Sequence, residues 1–217
     1  MTLPDPGVQA LHEDADLLVL YKPPGLLCVP GKGPDKQDAL STRAQQRWPG
    51  ALIVHRLDHA TSGLVVMARH LDAQRRLSHA FAERQVHKCY QAVVQGHMDA
   101  GDGAWQTIDL PIAADWPRRP LRVIDHATGK PSQTRWRVLA HDAAARTTRV
   151  ALEPITGRTH QLRLHLSAIG HPILGDALYA DAATQAQAPR LLLHACALGL
   201  AHPVTGERMD WEWEADF

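Results

Sequence analysis

The chain has 217 residues, enough for one large domain or two small ones, and 45% hydrophobic content supplies material for a real core. Its 23 basic and 23 acidic side chains cancel, which argues against a protein that coats nucleic acid without selectivity. The longest apolar run is broken by His194 and is too short to cross a bilayer, residues 1–7 lack the basic and apolar regions of a signal peptide, and Cys28, Cys89 and Cys196 are far apart, so a reducing, cytoplasmic setting is expected.

In chain order, residues 17–21 read as a buried strand stopped by Lys22-Pro23-Pro24-Gly25, and 26–29 as a short extended piece. Asp38 is positioned to cap a helix through Arg47. The stretch His55-Arg56-Leu57-Asp58-His59-Ala60-Thr61-Ser62-Gly63 follows Pro49-Gly50 and feeds an apolar strand at 64–68, the pattern of a loop held by a rigid strand. Residues 71–83 have helical spacing in Leu71, Leu77 and Phe81, and 88–94 read as a strand. Over 132–139 the residues alternate, with Thr134, Trp136 and Val138 on one face. Residues 142–146 connect this strand to another at 147–152, forming a hairpin. Thr159 is positioned to cap a helix over 160–169 that Gly170 closes. Leu162, Leu166 and Ile169 form its apolar stripe, while His160 and Arg163 lie on another face, open to a cleft. Further strands are expected at 191–200 and 209–214. Many strands with few helices and no strand-helix-strand rhythm predict an α+β fold with a largely antiparallel sheet.

The chemistry concentrates at residues 55–63, where one carboxylate, Asp58, lies between the Arg56 cation and the hydroxyls of Thr61 and Ser62. Taken alone, an Asp in such a loop more often makes a turn than a catalytic group. Other segments change the weighing. HRLDHATSG resembles the catalytic loop of the RluA family of pseudouridine synthases, and Tyr21-Lys22-Pro23-Pro24-Gly25-Leu26 resembles that family's lysine-proline motif. Lys88-Cys89-Tyr90, the run from Pro154 through Arg158-Thr159-His160-Gln161-Leu162-Arg163 to His165, and Gly170-His171-Pro172-Ile173-Leu174-Gly175-Asp176 are similar to its remaining motifs. The resemblance spans roughly residues 14–217. Asp115-Trp116-Pro117, Thr128-Gly129-Lys130-Pro131 and the run from Ala188 to Ala195 resemble the short members that act on both 23S ribosomal RNA and transfer RNA.

The resemblance implies an isomerase that converts uridine to pseudouridine in RNA. The fold it implies is a single catalytic domain over residues 1–217, a mixed sheet with flanking helices and a central RNA-binding cleft. Residues 1–13 would be a less ordered segment, with no separate N-terminal RNA-binding domain. The isomerisation adds no group and changes no oxidation state, so no cofactor or metal is expected, and a monomer suffices. Asp58 takes the catalytic role, as nucleophile or as base; residue types alone do not choose between the two. Burial would push its carboxyl towards the neutral form, and Arg163 is the cation expected to oppose that. Tyr90 is expected to stack on the extruded uracil and to assist proton loss from its carbon 5.

Arg56, His55, Lys22, Arg158, His160 and Gln161 are candidates for RNA contact. Thr61, Ser62 and Gly63 are expected to support the loop, and Arg118, Arg119 and Arg122 to offer a phosphate-binding rim. Three rivals remain: a metal hydrolase using His55, Asp58 and His59, a glycoside hydrolase, and an RNA-binding protein without catalysis. The first lacks a ligand motif, the second lacks a second carboxylate in a persuasive setting, and the third would not depend on Asp58.

Overall fold

The computed structural model describes residues 7–99, 101 and 103–217. In chain order they form β1 (Gln9–Glu13), β2 (Leu17–Lys22), α1 (Leu40–Arg47), β3 (Leu52–Ile53), β4 (Ser62–Ala68), α2 (Leu71–Ala82), β5 (His87–Gln95) and β6 (Gln106–Asp109). There follow β7 (Ile112–Ala114), β8 (Arg122–Ile124), β9 (Gln133–Asp142), β10 (Thr147–Pro154), α3 (Gln161–Ala168), α4 (Ala182–Ala186), β11 (Leu193–Ala201) and β12 (Arg208–Glu212). The class is α+β, as expected, and the chain divides into two compact units: Met1–His87 with Ala195–Ala215, and Lys88–His194 with Asp216–Phe217. Among the described residues no helix is long and apolar enough to cross a membrane.

In the first unit the strands run in the order β1-β2-β4-β11-β12, with the short β3 also paired to β4. Every residue of β4 is buried. A strand covered on both faces has no polar face to show, which is why 64–68 is a continuous apolar run without alternation. Leu17, Val19, Leu64 and Val66 meet Ala73 and Leu77 of α2 and Leu198 and Leu200 of β11 in one cluster. Each such Leu or Val contributes roughly 1.5–3 kcal/mol by leaving water. Leu71, expected on the apolar face of α2, is 59% exposed; the helix is held by Ala73 and Leu77, and its first residue lies outside that stripe. The cap of α1 also differs. Ala39 occupies the N-cap without a side-chain bond, and Asp38 forms a bidentate pair with Arg43. Residues 9–13, expected to be less ordered, pair antiparallel with the edge of β2, which offers unmet backbone donors and acceptors to a strand; residues 1–6 lie outside the described residues.

In the second unit the order is β5-β10-β9-β6, all antiparallel, with β7 and β8 as a separate hairpin. The expected β9–β10 hairpin is present, and Thr134 and Trp136 point inward together. A polar lock fastens α3 to this sheet. The Gln161 amide donates to Gln133 O and Thr134 Oγ1, while its oxygen accepts from Thr156 Oγ1 and Arg158 N. His165 is fully buried between Thr134 Oγ1 and Leu110 O. Burial pulls the His165 imidazole pKa below its usual value, against the opposing pull of Leu110 O and Asp109.

Candidate active site

Asp58 sits in the loop between β3 and β4, half-buried, with its carbonyl receiving the Thr61 N–H at 3.1 Å. Three straps hold this loop. The Gly25 N–H donates to His59 O at 2.9 Å. Cys28 Sγ accepts the Leu57 N–H at 3.1 Å. Lys22 Nζ donates to Pro23 O, Leu26 O and His59 O at 2.9, 2.8 and 3.1 Å. One ammonium thus ties the lysine-proline turn to the residue following Asp58, with all three of its donors used.

Lys22 is fully buried, so it does not reach RNA, and the expected substrate contact is corrected to an internal clamp. Burial pushes its ammonium down to about 8, against the opposing pull of Cys28 and Asp58. Burial likewise pushes the Cys28 thiol up, outweighing the Leu57 N–H and the Lys22 and Arg56 charges, so Cys28 is a packed thiol and not a reactive one.

The remaining residues of the motif divide by exposure. Arg56 is exposed and compatible with phosphate contact, while Leu57 anchors the loop from below at 5% exposure. His55 turns inward: its Nε2 accepts the Val66 N–H at 3.0 Å and its ring stacks on Phe81. That geometry gives His55 an internal role in place of RNA contact, and it commits the lone pair that a metal reading would need. Thr61 and Ser62 are buried, consistent with loop support. Gly63 has φ +118, and a Cβ there would lie 2.3 Å from Ala195 O, so this position admits only glycine.

The second unit holds the other two expected catalytic residues. Tyr90 is half-buried on β5, opposite Leu152 of β10. Arg163 is on α3, but not on an open face: it is 4% exposed and forms a bidentate pair with Asp176. Helix α3 begins one residue later than expected. His160 occupies the N-cap in a left-handed conformation, φ 57, and no side chain caps the helix, so Thr159 is not its cap. His160 Nδ1 and the Tyr179 hydroxyl are hydrogen-bonded at 2.8 Å. Gln161 is 3% exposed with its amide saturated, which corrects its expected RNA contact to the lock described above. Arg158 is exposed and remains available to RNA. Of the expected rim, Arg118 pairs with Asp115 at 2.7 Å and the Arg119 guanidinium lies 3.7 Å over the exposed Trp116 ring, while Arg122 is half-buried.

Sequence reasoning missed Asp176 and Tyr179 as members of the Arg163 surroundings. The available signal was weak: Asp176 ends the quoted run 170–176, but nothing in its spacing from Arg163 marks the two as partners.

A second charged cluster lies elsewhere in the first unit, where Asp14, Asp16 and His202 bring one possible ligand atom each within 4.8 Å of the others. The chemistry does not suit a cation. His202 Nδ1 accepts the Val204 and Thr205 N–H groups, so a neutral ring carries its proton on Nε2, the atom facing the carboxylates. Burial raises the Asp14 carboxyl, but hydrogen bonds from His12, Leu17 N and Asp16 N outweigh it and leave the pKa at about 2. The cluster is a hydrogen-bonded knot between β1–β2 and the turn after β11.

The sequence profile described as RNA pseudouridylate synthase matches residues 16–168. The chain is 47% identical to the dual-specificity RNA pseudouridine synthase RluA of Escherichia coli (strain K12), over 98% of this chain and 95% of that one. It is 47% identical to the protein of the same name from Yersinia pestis, over 95% of this chain and 98% of the other. Among solved structures it resembles human RNA pseudouridylate synthase domain containing 1 with a TM-score of 0.79 and 30% identity, covering 99% of this chain and 86% of that chain. Human RNA pseudouridylate synthase domain containing 4 matches with a TM-score of 0.73 and 27% identity, over 95% and 88% of the two chains.

Proposed function

Because this chain belongs to the RNA pseudouridylate synthase family, isomerases that convert uridine to pseudouridine in RNA, we propose that it modifies specific uridines in both 23S ribosomal RNA and transfer RNA stem-loops, with Asp58 as its catalytic carboxylate. The observation that carries this reading is the strapped loop. Lys22, Gly25 and Cys28 hold the backbone on either side of Asp58, so the carboxylate is presented by a rigid support. The reaction breaks the bond from uracil nitrogen 1 to ribose carbon 1′ and makes one from uracil carbon 5. The proton on carbon 5 is lost and nitrogen 1 gains one, so the balance closes with no cofactor.

In this reading Asp58 acts on the ribose, Tyr90 stacks on the extruded uracil, and Arg163 is the cation of the reaction. Arg56, Arg158 and the Arg119–Trp116 pair are the exposed groups suited to phosphate and base contact, with His160 two residues from Arg158. Residues 1–217 serve as one catalytic domain, acting as a monomer in the cytoplasm where both RNAs are found.

Pseudouridine mapping on RNA from cells lacking this protein, rescued by wild type or Asp58→Ala, tests the assignment. The expected result is loss of one transfer RNA site and one 23S site, restored by wild type only. Restoration by folded Asp58→Ala overturns the catalytic role, and loss confined to one RNA class overturns the dual specificity.

A further inference from the structure

We propose that Asp176 is a positioning residue for the reaction, holding the Arg163 guanidinium in one fixed orientation; this rests on the reading of Arg163 as the cation of the active site. The pair is buried on both sides, with side-chain exposures of 5% and 0%. Arg163 Nε donates to Asp176 Oδ2 at 2.8 Å and Nη2 to Oδ1 at 2.6 Å. This fork fixes both the position and the plane of the guanidinium, which a single bond would leave free to rotate.

The carboxylate is itself aimed by the backbone. Oδ1 also accepts the Leu178 and Tyr179 N–H groups at 2.8 and 3.2 Å. The segment leading to it is pinned to β5, with Gln95 N donating to Pro172 O and Leu174 N to Val93 O, both at 2.9 Å. Gly175 permits the close approach, since a Cβ there would overlap Arg190 O. Tyr179 braces the other side. Its ring centroid is 5.4 Å from Arg163 Cζ, its hydroxyl accepts the Arg122 N–H and bonds His160 Nδ1, and its carbonyl accepts from Ser167 Oγ on α3. The orientation of Arg163 is therefore set by β5, the 172–179 segment and α3 together.

Fold stability alone is a poor reason for such a pair. Two apolar side chains of similar volume often hold a buried site as well as an ion pair does. A guanidinium has five N–H donors and the fork uses two. Asp176 thus neutralises a buried cation and sets the directions in which the other donors point.

The test is a kinetic cycle on an RNA stem-loop substrate, using protein confirmed as folded by circular dichroism. Asp176→Asn is expected to lower kcat by about tenfold to a hundredfold, with KM changed less than about twofold, because misaimed groups slow chemistry more than binding. Arg163→Met should also lower kcat. The double variant should be no slower than Arg163→Met, since a residue acting only through Arg163 has nothing left to position. Losses that multiply in the double variant, or wild-type kcat in Asp176→Asn, overturn the inference. Full turnover in Arg163→Met refutes the role of Arg163 itself, and with it the ground of the proposal. Asp176→Asn removes the carboxylate from a buried pair and can fail to fold. The double variant removes both charges, and a rate more than about tenfold below that of Arg163→Met again overturns the inference.

Discussion

Replacing Lys22 with Met tests whether a buried ammonium holds the Asp58 loop. Methionine keeps most of the side chain's length and removes the three donors. His59 O retains the Gly25 N–H, but Pro23 O and Leu26 O lose the Lys22 donor. Leaving a buried acceptor unmet costs about 1–3 kcal/mol, so two cost roughly 2–6 kcal/mol. Removing the buried charge offsets part of this. Burial takes the Lys22 ammonium from the ordinary 10.5 to about 8. At about 1.4 kcal/mol per pH unit, that interval amounts to roughly 3 kcal/mol at neutral pH. The net change expected at pH 7 is therefore small, between about 1 kcal/mol of gain and about 3 kcal/mol of loss.

The pH dependence is more diagnostic than the magnitude. Between about 8 and 10.5 the unfolded chain keeps the Lys22 proton that the folded chain has released. The unfolded state binds more protons there, so wild-type stability from this group rises with pH across the window. Asp58 and Cys28 are the other groups acting on Lys22, and they oppose the burial. Urea unfolding of wild type and Lys22→Met at pH 7.5, 9 and 10.5 should show the gap widening in favour of wild type by about 2–3 kcal/mol, with other titrating groups cancelling in the difference. A gap that stays constant across the three values would refute the buried-ammonium argument.

Gly63→Ala forces a Cβ against Ala195 O at positive φ, so a loss of roughly 2–5 kcal/mol and a clearly lowered Tm by calorimetry are expected; an unchanged Tm would show that the loop shifts freely. Asp14→Asn should lose on the order of 1 kcal/mol near pH 7, discounted for the partial exposure of the group. The folded Asp14 carboxyl lies at about 2, below its ordinary 3.8, so this contribution is present above about 4 and disappears as pH falls through 2. Chemical denaturation at pH 6 and pH 2 should show the difference at the first value only.

Much of the local structure was legible in the chain itself. The apolar run at 64–68, the helical spacing of 71–83 and the alternation around Trp136 specify their elements because burial repeats with the geometry of strand and helix. The Asp58 loop was marked by its resemblance to a known catalytic loop, since an Asp in such a loop, taken alone, more often makes a turn. What periodicity does not encode is which long-range partner a polar group finds. Lys22 was readable as a cation in a cleft, but only folding brings Pro23 O, Leu26 O and His59 O around its nitrogen. Gln161 and Arg163 were readable as exposed helix positions, yet tertiary packing buries both, against Gln133, Thr134 and Thr156 in one case and Asp176 in the other. The sequence by itself determined most of the elements, through local spacing and residue type, and the family chemistry, through the resemblance of its motifs. The tertiary structure alone decided which polar side chains face solvent and which hold the framework, because a buried donor must be matched by an acceptor that can lie anywhere along the chain.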